Sequence, residues 1–229
     1  MNGSLYTITG SVSMLNSLFS NPIEFVIWVA ALLVAITIHE FSHALAADRL
    51  GDPTPRVQGR LTLNPLAHLD PLGTLMLLLV RFGWGKPVEF DPYNLQNPRR
   101  DAAIISFAGP ASNLILATAL SVVLRLISAN QVSPDFGLFS ILLPFVYLNV
   151  VLAVFNLIPI HPLDGGKILV GLLPQDTSVV WDRFLRRYGI VILLLLVFPL
   201  FGGVPLVSQF LGPTINLILS FLLPFPRLI

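Results

Sequence analysis

Apolar residues run through this chain in long stretches, and short polar stretches divide them. The first stretch extends from about Ile23 to Ala47, and within it Phe25 to Ile38 carries no charge. A helix of about 20 apolar residues crosses a bilayer, so this stretch predicts a membrane helix, ended by Leu50-Gly51-Asp52-Pro53. Ala102 to Ile127 predicts a second span, kinked at Pro110, which removes a backbone donor and crowds the preceding turn. Gly137 to Leu157 predicts a third, interrupted at Pro144. Ile190 to Pro205 and Leu206 to Leu223 form a closing pair with no titratable residue. Leu72 to Val80 is apolar but too short for a span, and Gly83-Trp84-Gly85-Lys86-Pro87-Val88 follows it. Pro71 to Val88 therefore reads as a short or re-entrant helix followed by a strand-like edge. The expected fold is an all-α polytopic integral membrane protein with about five to six membrane segments.

Composition agrees with that pattern. Of 229 residues 55% are hydrophobic and 11% charged, where a soluble domain carries about 25% charged residues. Net charge is +1 and the arginines are scattered through short loops, so nothing points to nucleic acid. The absence of cysteine excludes disulfides, thiolate-held metal and a cysteine nucleophile. Met1 to Asn21 has no Lys or Arg, so the first apolar segment is expected to stay in the mature protein. No polar stretch is long enough for a separate soluble domain. The chain reads as a single membrane-embedded domain, 1–229, with a core at 23–166 and closing helices at 167–229. Lys and Arg cluster after the first span and around Arg183 and are missing from Ser128 to Asp135, which fits an N-outside orientation if Pro71 to Val88 does not fully cross.

The chemistry lies inside the first span, at His39-Glu40-Phe41-Ser42-His43. On a helix, two histidines four residues apart share a face, so both imidazoles can reach one ion. The glutamate between them stands where it can take a proton from a water that the ion activates. His and Glu are costly inside a membrane, which makes them functional candidates. With no cysteine, other ligands must be His, Asp or Glu. Asn156 to Gly166, N-L-I-P-I-H-P-L-D-G-G, holds two prolines that preclude a regular helix, and its glycines allow a tight turn just past the acid. Asp164 is a candidate third ligand there, and on the residues alone His161 competes with it, since a third histidine also suits zinc. His68 reads as an ordinary loop histidine. Asn113, one turn beyond Gly109, suits an interhelical hydrogen bond at least as well as a catalytic role. A different class also fits the ligands, a metal or proton carrier, although transport needs no glutamate between two of them. A non-catalytic scaffold would need none of these groups.

Taken together, His39-E-F-S-His43, Gly109-P-A-S-Asn113 and Asn156-L-I-P-I-H-P-L-Asp164-G-G resemble the site-2 protease family of intramembrane zinc metalloproteases, peptidase family M50. Gly59-R-L-T-L-N-Pro65 and Gly83-W-G-K-P-Val88 are similar to its compact bacterial subgroup, which lacks PDZ and CBS domains. The resemblance implies one Zn²⁺ held by His39, His43 and Asp164, with Glu40 as catalytic base and Asn156 near the scissile carbonyl. It implies membrane-spanning protein substrates, residence in the lipid bilayer of a bacterial cell membrane, and no nucleic acid partner. His161 remains a candidate for supporting the ligands. An exposed strand edge at Trp84 to Phe90 would hold an unwound substrate by strand addition.

Overall fold

The computed structural model describes residues 21–80, 83–129, 137–198 and 204–224. Met1 to residue 20, most of the Ser128–Asp135 loop, and 199–203 within the first closing segment lie outside them. Every regular element among the described residues is helical. In chain order the α-helices are α1 (Pro22–Arg49), α2 (Thr54–Val57), α3 (Pro71–Val80), α4 (Pro98–Ala129), α5 (Gly137–Asn156), α6 (Asp164–Leu172), α7 (Gln175–Val197) and α8 (Leu206–Leu222), with single 3-10 turns at Pro65–Ala67 and Pro92–Asn94. Three of them, α1, α4 and α5, are long and apolar enough to cross a membrane.

Local chemistry sets the ends of α1. The Asn21 side chain accepts from Glu24 N–H at 3.3 Å, and Pro22 occupies the first helical position, where its missing donor costs nothing. At the other end Gly51 takes φ +106°, the left-handed conformation glycine tolerates best. Asp52 then fixes the loop that follows. Its side chain accepts from Thr54 N–H at 3.1 Å, Thr54 Oγ1 at 2.6 Å, Asn94 Nδ2 at 2.8 Å and Asp91 N–H at 2.7 Å. Burial alone would raise the Asp52 pKa, but these hydrogen bonds outweigh it and hold the carboxyl below its ordinary value. A lowered folded pKa stabilises above the unfolded value, about 3.9, and that stability fades as pH falls through the lowered one. Asp52→Ala should therefore cost about 1–3 kcal/mol at neutral pH. Thermal melting in detergent checks this: the gap from wild type should narrow below pH 4.

The core forms where α4, α5 and α8 meet, through Ala117, Leu124, Phe139, Val146, Val150 and Leu219. Helix α4 also packs against α1 and α6, the helices that carry His39, Glu40, His43 and Asp164. Outward-facing apolar residues such as Ile115, 69% exposed, suit a lipid surround.

Two expectations change. Both α4 and α5 continue through Pro110 and Pro144, so Pro144 does not interrupt the third span. Proline is tolerated there because neighbouring helices support the freed backbone groups. The stretch from Lys167 to Arg187 is nearly all helical, belonging to α6 and α7, which divide at Leu173-Pro174. Proline lacks the donor that would continue α6 and readily precedes a helix. Finally, Trp84 to Phe90 is not a strand, and its ladder is one antiparallel bridge, Leu69 to Gly85. The ladder stops because Pro87 has no N–H and Val88 N–H donates to Glu40 at 3.0 Å. The preceding α3 has the expected short form, about 15 Å at 1.5 Å per residue.

Candidate metal centre

His39 and His43 project from one face of α1 with ring centroids 4.6 Å apart. Their Nε2 atoms approach Asp164 Oδ2 at 3.1 and 3.2 Å. Candidate ligand atoms of the three residues all lie within 4.8 Å of one another. The opposite ring nitrogens are already occupied. His39 Nδ1 is 2.7 Å from Asn113 Oδ1, and His43 Nδ1 is 2.7 Å from Ile105 O. Both partners are acceptors, so each Nδ1 carries a proton, and in a neutral ring that leaves Nε2 as the nitrogen with a lone pair for a cation. Two lone pairs and an anionic oxygen gathered in a buried site repel one another unless a cation lies between them. Two histidines and one aspartate are a donor set that zinc accepts in catalytic sites.

Supporting groups hold this geometry. Asn113 Nδ2 donates to Ala35 O at 3.0 Å and to Asn149 Oδ1 at 2.7 Å, which turns its own Oδ1 toward His39. Asn149 Nδ2 in turn donates to Phe145 O at 2.8 Å. Both asparagines are fully buried, so α5 orients a candidate ligand on α1 through α4. Asn113→Ala should lower zinc affinity about 10–100-fold, measured by competition against a chelator of known affinity. Unchanged affinity would contradict this role. Gly109 clears the space for both rings: a Cβ there would stand 2.8 Å from His39 Cε1 and 2.5 Å from His43 Cε1.

Asp164 is the first residue of α6, where the helix dipole favours a carboxylate. The two glycines after it serve a helix rather than the expected turn. A Cβ at Gly165 would lie 2.6 Å from the Ile158 carbonyl carbon, and one at Gly166 would lie 2.7 Å from His161 Nδ1. Only glycine lets α6 fold back so tightly on the 157–163 turn. His161 points elsewhere, with Nε2 3.3 Å from Asp182 on α7.

Glu40 accepts from Val88 N–H and has Arg60 Nη2 at 3.9 Å. Arg60 is 3% exposed and donates to Ala67 O and Lys86 O, one on either side of α3. His68, also buried, shares a hydrogen bond with Thr62 O at 2.8 Å. Asn156 Nδ2 donates to Leu152 O at 3.0 Å within its own helix. It lines a cavity of about 670 Å³ with His39, Glu40, His43 and Asp164. The remaining wall is largely apolar, with Leu32 and Ile36 from α1, Trp84 and Val88, Phe155, and Leu193 from α7.

Sequence reasoning missed Asn149 and the setting of Arg60. Asparagine inside the apolar 137–157 stretch was a signal for the first, whereas Arg60 resembled any loop arginine.

An H-E-x-x-H helix gathering a buried donor set among membrane-length helices defines a membrane metallohydrolase class. Comparison with known proteins narrows the class to one family. The family model for peptidase family M50 matches residues 125–198. “Putative zinc metalloprotease YwhC” of Bacillus subtilis is 38% identical over 192 residues, which cover 82% of this chain and 85% of the relative. “Putative zinc metalloprotease Rip2” of Mycobacterium tuberculosis is 33% identical over 199 residues, 84% of this chain and 69% of that protein. “Zinc metalloprotease MJ0392” of Methanocaldococcus jannaschii is 24% identical over 159 residues, 69% of this chain and 38% of that protein. No solved structure matched the chain. The chain belongs to peptidase family M50 and is a zinc metalloprotease.

Proposed function

We propose that this protein hydrolyses peptide bonds of membrane-spanning substrates, within or near the bilayer. The observation that carries the reading is the position of Glu40. It lies between two histidines that converge on Asp164, and all four line one cavity. His39, His43 and Asp164 would hold one zinc ion. When bound, zinc supplies the Lewis acidity that makes water a nucleophile near neutral pH. Glu40 takes the proton of the attacking water and returns it to the leaving amine. Val88 N–H keeps the Glu40 carboxylate aimed across the cavity. Asn156 retains one amide N–H beyond its bond to Leu152 O, and that donor is suited to the developing oxyanion. A helical substrate must unwind first, because its peptide groups are otherwise shielded by internal hydrogen bonds. The 83–90 segment, beside Glu40 on the cavity wall, supports binding of the unwound stretch there.

The protein is read as one domain of a bacterial cell membrane. The apolar half of α7 and α8 would close the bundle, bringing the membrane segments to five, with α3 as a re-entrant element. Co-expression with a library of single-span membrane proteins tests the activity. Wild type should shorten some members, and the Glu40→Gln variant should leave them intact. No shortened member in the wild-type cells would contradict the reading.

A further inference from the structure

Lys167 follows Asp164 by three residues on α6, and its side chain lines the same cavity as Glu40 and the three candidate ligands. Its ammonium stands 4.8 Å from the centre of the Phe90 ring. Among the described residues it makes no hydrogen bond or ion pair. Asp164 and Glu40 attract the ammonium electrostatically, but their direct partners are others, the two histidines for Asp164 and Val88 N–H for Glu40. Arg60, the other cation beside Glu40, is tied to two backbone carbonyls. An ammonium facing a mostly apolar cavity is costly unless it is paired. The missing anion would arrive with the ligand.

The location suggests what that anion is. Phe90 belongs to the segment proposed to bind substrate, so Lys167 lies beside that segment on the wall of the cavity that holds Glu40 and the candidate ligands. Hydrolysis breaks the C–N bond and adds the water's oxygen to the acyl carbon. One fragment is left with a carboxylate and the other with an amine. Resting on the proteolytic reading above, we propose that Lys167 is a carboxylate subsite for the bound chain. The carboxylate is an Asp or Glu side chain beside the scissile bond, or the C-terminal carboxylate that cleavage creates. Either would form a charge-assisted hydrogen bond with the ammonium.

The test uses purified full-length wild type, Lys167→Arg, Lys167→Gln and Lys167→Glu, with zinc measured in each. The first arm takes a single-span substrate that wild type cuts and places Glu, Gln or Lys at each position flanking the scissile bond. If the side chain is the ligand, wild type and Lys167→Arg prefer Glu at one position by roughly tenfold or more. Lys167→Glu then prefers Lys at that position. The second arm compares the N-terminal product peptide as free acid and as amide. If the product is the ligand, the free acid inhibits wild type better, and Lys167→Gln narrows that margin roughly tenfold. Zinc-loaded variants that share wild-type preferences in both arms would overturn the subsite while leaving proteolysis standing. A wild type that cuts no substrate would instead sink the proteolytic reading, and the subsite with it.

Discussion

Purified Asp164→Ala should lose most of its zinc, while His161→Ala should keep about one ion per chain. Asp164 Oδ2 is the atom that both Nε2 positions face, at 3.1 and 3.2 Å. Without it, two neutral imidazoles remain, fewer than the three protein ligands of a catalytic zinc site. The loss should exceed the roughly 10–100-fold cost of removing a supporting hydrogen bond. His161 bonds to Asp182, so its removal loosens contact between the 157–163 turn and α7 without subtracting a ligand. Elemental analysis of the two variants, matched to wild type for helicity and monodispersity, decides the matter. Zinc retained in Asp164→Ala and lost in His161→Ala would overturn the ligand assignment.

That contrast marks where the sequence stops being readable. His39 and His43 are legible because their meeting depends only on helical periodicity. Asp164 is 125 residues from His39, and the residues between them left it level with His161. The backbone of the 157–163 turn and the bare faces of Gly165 and Gly166 set Asp164 beside the two histidines and His161 beside Asp182. The three longest apolar runs became helices close to their expected limits. Helix rotation was harder to read: whether Asn113 meets a ligand or another helix depends on which face α4 turns to α1. It meets both, through its oxygen and its nitrogen. Arg60 was invisible for a related reason. A loop arginine shows its charge in the sequence, whereas its burial between Ala67 O and Lys86 O exists only once α3 has folded back. The 84–90 edge looked strand-like from its residues, yet its backbone serves Glu40 and Arg60 instead of a ladder.

The largest effect on turnover should come from Glu40→Gln. On this account Glu40 is a base and not a ligand, so the substitution should leave the zinc in place. Glutamine has nearly the same shape, and its carbonyl oxygen can still accept from Val88 N–H, so the cavity wall should hold. What it cannot do is take the proton of the attacking water, and a general base contributes about 10²–10⁴-fold. Substrate should accumulate uncut and remain bindable by the intact pocket. A metal or proton carrier built from the same residues would behave differently. Its flux would follow the ligands, and no membrane protein would change length.

The most direct measurement places purified wild type and Glu40→Gln in liposomes with a single-span substrate and reads zinc content and cleavage from the same samples. The account predicts about one zinc per chain in both proteins, with cleavage by wild type and a loss of at least about a hundredfold in the variant. A zinc-loaded Glu40→Gln protein that cuts at near wild-type rate would contradict it.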